Sequence, residues 1–292
     1  MKYSYYPGCC HHTSAKEYDI SSRVVCDTLG IQLTDVPDWS CCGSTAAHST
    51  SHLLATSLAA RNLSLAEKEG EDVVASCAAC YQRLAMADHH LKTNKDLLQE
   101  VNQILDRPYG SSIKVRSMLD VIYSAKSTLA AGVKKPLQGL KVAAYYGCLL
   151  VRPLSVRVDD AEYPQTMDEL LETAGAQAVE WGFKTECCGA SLAISNEDIV
   201  LELVFKILEA ARDAGANCIV TACPLCHFNL DVRQEKLNKS RGKSFNLPVF
   251  YFTQLIGLSL GIDQRDLSLG THFLDPSRLI KTFDSFNGGD RV

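Results

Sequence analysis

Ten of the chain's 13 cysteines fall into two copies of one arrangement. Cys9 is followed after 31 intervening residues by Cys41 and Cys42, and after 34 more by Cys77-Ala78-Ala79-Cys80. Cys148 is followed after 38 residues by Cys187 and Cys188, and after 34 more by Cys223-Pro224-Leu225-Cys226. Thiolates in such numbers bind soft metals or carry redox chemistry. The opening MKYSYYPGCCHH has no apolar segment of the secretory kind, so a cytoplasmic setting is expected. In that compartment a cysteine cluster reads as a metal or redox site before it reads as a disulfide framework. Adjacency points the same way, because neighbouring Cα atoms lie about 3.8 Å apart, short of the ~4.4 Å at which ordinary disulfides begin.

Each half therefore offers five thiols, one more than a structural zinc or a cubane iron–sulfur cluster takes. Two neighbouring side chains are hard to fold onto one small tetrahedral ion, but they reach two irons of a multinuclear cluster. The pattern favours iron–sulfur. Gly43 and Gly189, each directly after a cysteine pair, let backbone approach such a cluster. Helices expected from Ser44 and Ser191 aim N–H groups and the positive end of the dipole at an anion. The rival readings are a zinc-holding interaction module, which leaves a cysteine of each set unused, and a metal-free thiol–disulfide protein, whose reactive pair is undefined.

The elements that must position these residues also repeat. KYSYYPGCC at 2–10 parallels KVAAYYGCLL at 141–150, EDVVASCAACY at 71–81 parallels ANCIVTACPLC at 216–226, and IKVRSMLDVIYS at 113–124 parallels LPVFYFTQLIGLSL at 247–260. Each begins as a β-prone run, so the cysteines fall where strands end and helices begin, the edge at which distant segments of a parallel sheet converge. Between them, 51–70, 166–175 and 197–215 have helical periodicity. Met167, Leu170, Leu171 and Ala174 are expected on one buried face before Gly175, and Ile199, Leu203, Ile207 and Ala210 on another before Gly215. The fold class expected is α/β: two tandem pseudo-symmetric domains at 1–125 and 140–292, each a small mainly parallel sheet flanked by helices, joined by a linker at 126–139.

The bulk numbers set limits. A chain of 292 residues suffices for two domains. A net charge of −5 supplies no basic field for nucleic acid. The longest apolar run, 248–262, has 15 residues and includes Thr253 and Gln254, short of the ~20 a spanning helix needs. No dinucleotide-binding glycine pattern or ferredoxin cysteine spacing occurs, so electrons must come from a partner.

A cysteine, then Cys-Cys-Gly, then Cys-x-x-Cys, in the contexts YYPGC, DWSCCG, KTECCGAS and CPLCHFNL, resembles the cysteine-rich CCG domain. Paired domains without a ferredoxin segment resemble the B-type subunit of heterodisulfide reductase and its homologues in sulfur metabolism. The resemblance implies two noncubane [4Fe-4S] clusters, one on Cys9, Cys41, Cys42, Cys77 and Cys80, the other on Cys148, Cys187, Cys188, Cys223 and Cys226. It implies redox chemistry on a disulfide, thiol or carrier-bound sulfur at a cavity between the clusters. The partners it implies are a C-type, ferredoxin-like iron–sulfur subunit and an A-type, FAD-containing subunit. CCG domains also serve as electron-transfer subunits of fumarate, lactate, glycolate or succinate dehydrogenase systems, the alternative within the same resemblance.

Of the remaining cysteines, Cys26 and Cys218 are expected in the core, and Cys10 beside a proposed ligand is read equally as a substitute or redox-sensitive neighbour and as a small packed thiol. His11, His12, His48, His52 and His227 stand near the cysteines and titrate near neutrality, but hydrogen-bonded helix positions are the default. Arg152 and Lys16 are expected as solvated charge, and 233–243 as an exposed basic loop.

Overall fold

The computed structural model describes residues 1–288. Strands β1 (Lys2–Tyr6), β2 (Gln32–Asp35), β3 (Val73–Ala75) and β4 (Val115–Ser117) form one sheet in the order β2-β1-β3-β4. Strands β5 (Lys141–Tyr145), β6 (Gln177–Ala178), β7 (Cys218–Thr221) and β8 (Val249–Tyr251) form a second in the order β6-β5-β7-β8. Every pairing is parallel, and the two orders are the same when the halves are superposed in sequence. Val73-Val74-Ala75 and Cys218-Ile219-Val220-Thr221 are buried throughout, as an apolar strand covered on both faces by helices must be. In each sheet the order reverses beside the first strand of the half, which opens a crevice at the carboxyl ends of β1/β3 and of β5/β7.

Helix Thr166–Thr173 buries Met167, Leu170 and Leu171, with Ala174 next, and Gly175 turns away at φ +93°. Helix His52–Glu69 ends on left-handed Gly70. Helix Glu197–Asp213 corrects the expected face. Only Ile207 of the four named residues is fully buried, Ile199 is 45% exposed, and Leu203 and Ala210 are partly covered. The sequence there carries two adjacent apolar stripes, and the one through Val200, Val204, Leu208 and Ala211 meets the core.

The expected basic loop at 233–243 is also corrected: Gln234–Arg241 is helical. Gln234 is buried and bonds Leu230 O, Leu247 O and the Leu247 amide. The basic residues meet acids of helix Glu197–Asp213, with Arg233 and Lys236 on Glu197, Arg241 on Glu202 and Lys243 on Glu209. Within the stretch expected as a linker, Lys126–Gly132 is a helix whose Leu129 is buried, and Lys126 reaches Glu169 of the following half at 2.5 Å.

The halves pack through helix Lys16–Thr28 against helix Phe252–Ser259. Ser21 Oγ and Thr253 Oγ1 lie 2.7 Å apart, and the Tyr18 and Tyr251 rings stack at 4.2 Å with 3° between planes. Among the described residues no helix is long and apolar enough to cross a membrane.

Candidate functional site

All ten repeated cysteines lie beyond the carboxyl ends of the strands. Cys9 opens a short 3-10 turn after β1. Cys77 precedes helix Ala78–Thr93 with Cys80 in its first turn, and Cys223 precedes helix Pro224–Val232, where proline suits the first helical position. The adjacent pairs end on Gly43 at φ +78° and Gly189 at φ +74°, left-handed positions that let the chain turn away. The outcome is close thiol packing. Cys42 Sγ and Cys80 Sγ are 3.6 Å apart, and Cys188 Sγ and Cys226 Sγ are 3.5 Å apart. Cys41 and Cys42, Cys77 and Cys80, Cys148 and Cys187, and Cys223 and Cys226 shift one another's ionisation. Cys9 is more exposed and acts electrostatically on Cys41. Cys77 and Cys223 act on one another electrostatically, so the two sets adjoin.

This packing sets the electrostatics. Hydrogen bonds from Cys41 and Cys80 pull Cys42 down to about 3, and Cys148 pulls Cys187 down to about 6. Cys148 and Cys41 are pushed up, first by those same bonds and then by burial. So many thiols cannot ionise together without a cation among them, and soft-metal binding removes that conflict. The backbone is shaped to match. A Cβ on Gly8 (φ +72°) would lie 2.9 Å from Cys80 Sγ, and one on Gly147 (φ +65°) 3.1 Å from Cys226 Sγ. The residues present therefore fit a multinuclear iron–sulfur group in each half. Gly8→Ala and Gly147→Ala are each expected to cost ~1–2 kcal/mol in left-handed strain and to deplete iron in the affected half, measurable by denaturation and metal analysis.

Several positioning residues carry no signal of ligation. Tyr6 and Tyr145 each stand three residues before the first cysteine of their set. Tyr6 OH donates to Ser40 O at 2.7 Å and Tyr145 OH to Glu186 O at 2.6 Å, the carbonyls immediately before the two cysteine pairs. Each phenol therefore ties the first cysteine turn to the second. The repeated tyrosine at this offset was the available clue. In the second half Lys184 adds a buried ion pair. Its Nζ reaches Asp168 Oδ1 at 2.8 Å, Tyr146 OH donates to Asp168 Oδ2 at 2.7 Å, and Lys184 O accepts from the Tyr146 and Gly147 amides. Between the halves, Tyr18 OH lies 3.1 Å from Ser76 O and 3.3 Å from Ala222 O, the residues before Cys77 and Cys223. Tyr18→Phe keeps the stacking and removes this bridge, with an expected loss of ~0.5–1.5 kcal/mol in chemical denaturation.

The other expectations divide. Ser44–Thr50 is a helix as expected, but after Gly189 only a 3-10 turn, Ala190–Leu192, forms, and the α-helix waits until Glu197. His48 and His52 do not share a helix. Ser51 is extended and its Oγ caps the next one, while His52 Nε2 lies 3.3 Å from His90 Nδ1. His12 stacks on Trp39, and His11 is buried beside Tyr5 OH. His227 Nε2 sits 2.9 Å from Val249 O and 3.2 Å from His272 Nδ1, and burial lowers it to about 3. Cys26 and Cys218 are core residues, and Cys10 is half-buried, pushed up to about 12 by burial and by Cys9. Arg152 forms an exposed pair with Glu162, and Lys16 is exposed.

A cavity of about 190 Å³ opens on the second set. Cys148, Cys187, Cys188, Cys223 and Cys226 line it from one half, and Ala78, Ala79 and Arg83 from the other. It can admit a small molecule to the second set of sulfur atoms, beside residues of the first half.

The cysteine-rich CCG domain family matches residues 3–85 and 142–231. The chain is 32% identical over 282 residues, covering 95% of it and 99% of the relative, to the 8-methylmenaquinol:fumarate reductase membrane anchor subunit of Wolinella succinogenes. It is 31% identical over 277 residues, 92% of each chain, to the B subunit of the ferredoxin/F(420)H(2)-dependent CoB-CoM heterodisulfide reductase of Methanosarcina acetivorans. It is 32% identical over 274 residues, 90% of this chain and 92% of the relative, to an Archaeoglobus profundus protein named for its likeness to the B subunit of heterodisulfide reductase. In overall fold it is similar to the crystal structure of a hypothetical protein from Helicobacter pylori, with a TM-score of 0.77 at 17% identity. That match covers 93% of this chain and 52% of the other.

Proposed function

The chain belongs to the CCG family that includes the B-type subunits of heterodisulfide reductase and is an iron–sulfur electron-transfer subunit, and from that premise we propose that it makes or breaks disulfide or sulfane-sulfur bonds at two noncubane [4Fe-4S] clusters. Cys9, Cys41, Cys42, Cys77 and Cys80 hold the first, in a domain spanning 1–125. Cys148, Cys187, Cys188, Cys223 and Cys226 hold the second, in a domain spanning 140–292, with 126–139 between them. The observation that carries this reading is the cavity bounded by both halves and lined by the second thiol set, whose Cys223 interacts with Cys77 of the first. Cleaving a disulfide takes two electrons, and when bound, each cluster supplies one together with Lewis-acidic iron for a sulfur atom.

The chain's own residues do the rest. The glycine-lined turns bring backbone against the sulfur sets, the tyrosines fix the spacing of each set, and the buried walls hold the reacting sulfur away from bulk water. Electrons arrive from a C-type, ferredoxin-like iron–sulfur subunit, linked to an A-type, FAD-containing subunit. This assignment rests on the similarity to heterodisulfide reductase subunits. The similarity to the Wolinella protein favours a second reading, an electron-transfer subunit that serves a fumarate-type dehydrogenase and a quinol. Anaerobic assays of the intact complex separate the two. Reduction or formation of a disulfide supports the first reading. Electron exchange only with fumarate or quinol overturns it in favour of the second.

A further inference from the structure

The two halves differ at a position that in the first half faces the cavity. Three residues after the second cysteine of each Cys-x-x-Cys stands Arg83 in the first half and Asn229 in the second. Asn229 is fully engaged: its amide donates to Cys188 O at 3.0 Å and its oxygen accepts from Arg233 Nε at 3.1 Å. Arg83 is half-buried and lines the cysteine cavity. Among the described residues no carboxylate forms an ion pair with its guanidinium, which burial pulls down. A half-buried guanidinium without a carboxylate is costly unless an anion meets it.

A second observation extends the site. Arg83 also lines an adjoining cleft of about 210 Å³, with His48, His52 and His90 on its walls. Gln82 lines the same cleft. It is 7% exposed, and its Oε1 has no hydrogen-bond partner. The cleft therefore has Arg83 on its wall, and beside it the buried Gln82 with a partnerless Oε1, one step from the thiols.

We propose that Arg83 and Gln82 form the seat for the head group of the sulfur substrate, an anion of carboxylate, sulfonate or phosphate type bearing a nearby hydrogen-bond donor, whose sulfur reaches the cysteine cavity. The proposal rests on the sulfur-substrate reading above and assigns the head group to the first half. The seat is one-sided, because Asn229 carries no charge and has no free bonding group.

The test is calorimetric, on the anaerobically purified, cluster-filled complex, with probes that cannot be reduced. Thiodipropionate, its bis-sulfonate counterpart and inorganic phosphate vary the anion, and thiodiglycol removes the charge. The protein is expected to bind at least one anionic probe, and the tightest identifies the head group. Arg83→Gln is expected to weaken that probe about 10- to 100-fold, the loss of a charge-assisted pair. Arg83→Lys is expected to recover part of the loss. Thiodiglycol binding is expected to change by less than about twofold, and the EPR signature of the clusters to persist. Equal weakening of charged and neutral probes, an unchanged anion affinity, or no anion binding by the unaltered protein overturns the seat. Anion binding through Arg83 in a complex that reduces no disulfide leaves the seat standing and overturns the disulfide reading instead.

Discussion

Cys226→Ala is expected to remove about half of the iron from the chain, from about eight to about four atoms for two four-iron clusters, and to abolish electron exchange with the sulfur substrate. Cys226 is buried at the start of a helix, in contact with Cys188 at 3.5 Å and with Cys223. Its loss takes a donor from the second set only. The first set keeps all five thiols, so one EPR signal is expected to vanish while the other remains. The control is Cys218→Ala. That thiol is equally buried, in β7, and burial alone pushes it up, with no neighbouring thiol contributing. It is expected to cost about 1–2 kcal/mol of core packing and no iron. Equal iron loss in both variants would mean that the second half fails through folding rather than ligation.

Lys184→Met is expected to destabilise the second half by about 3–5 kcal/mol, the cost of leaving one partner of a buried ion pair alone. Lys184 and Asp168 side chains are each 5% exposed. Asp168 is pushed up by burial and held back by Lys184 and Tyr146. A carboxyl raised by burial favours folding most below the ordinary carboxylate range of about 4 and loses that advantage as pH rises through its folded value. Without Lys184 the folded value rises further, so the deficit is expected to grow toward neutral pH and shrink in acid. Denaturation curves across pH measure it. The double variant Lys184→Met/Asp168→Asn removes the stranded charge while preserving an acceptor for Tyr146, and is expected to recover much of the loss. Because Lys184 O holds the turn before Cys148, iron retention in the second half is expected to fall with stability.

Much of the cysteine arrangement was legible in the sequence because the two halves repeat the same residues at matching spacings. The repeated spacing located both cysteine sets, and the apolar runs before Cys77 and Cys223 placed them at strand ends. Residues that act through carbonyls left weaker traces. Tyr6 and Tyr145 looked like ordinary strand aromatics, and only their shared offset from Cys9 and Cys148 distinguishes them. Lys184 and Asp168 are 16 residues apart, and nothing local marks a buried pair. Arg83 becomes visible when the halves are aligned, because its partner position holds Asn229.

The misread elements have physical causes. In 197–215 apolar residues form two neighbouring stripes, and the choice between them is made by the sheet and helices they pack against. In 233–243 the charge density suggested solvent, but the acids that answer it lie some 30 to 40 residues earlier, on Glu197, Glu202 and Glu209. After Gly189 the expected helix is delayed by a 3-10 turn, so the two halves are less alike around their adjacent cysteine pairs than their sequences suggest.

The central claim is that each half holds one iron–sulfur cluster on its own five cysteines. Quantifying iron, sulfide and zinc in anaerobically purified protein, with EPR of oxidised and reduced samples, tests it most directly. About eight irons per chain, matching sulfide and two distinct noncubane signals are expected. Stoichiometric zinc without iron would contradict the claim and return the chain to the reading of a metal-stabilised interaction module.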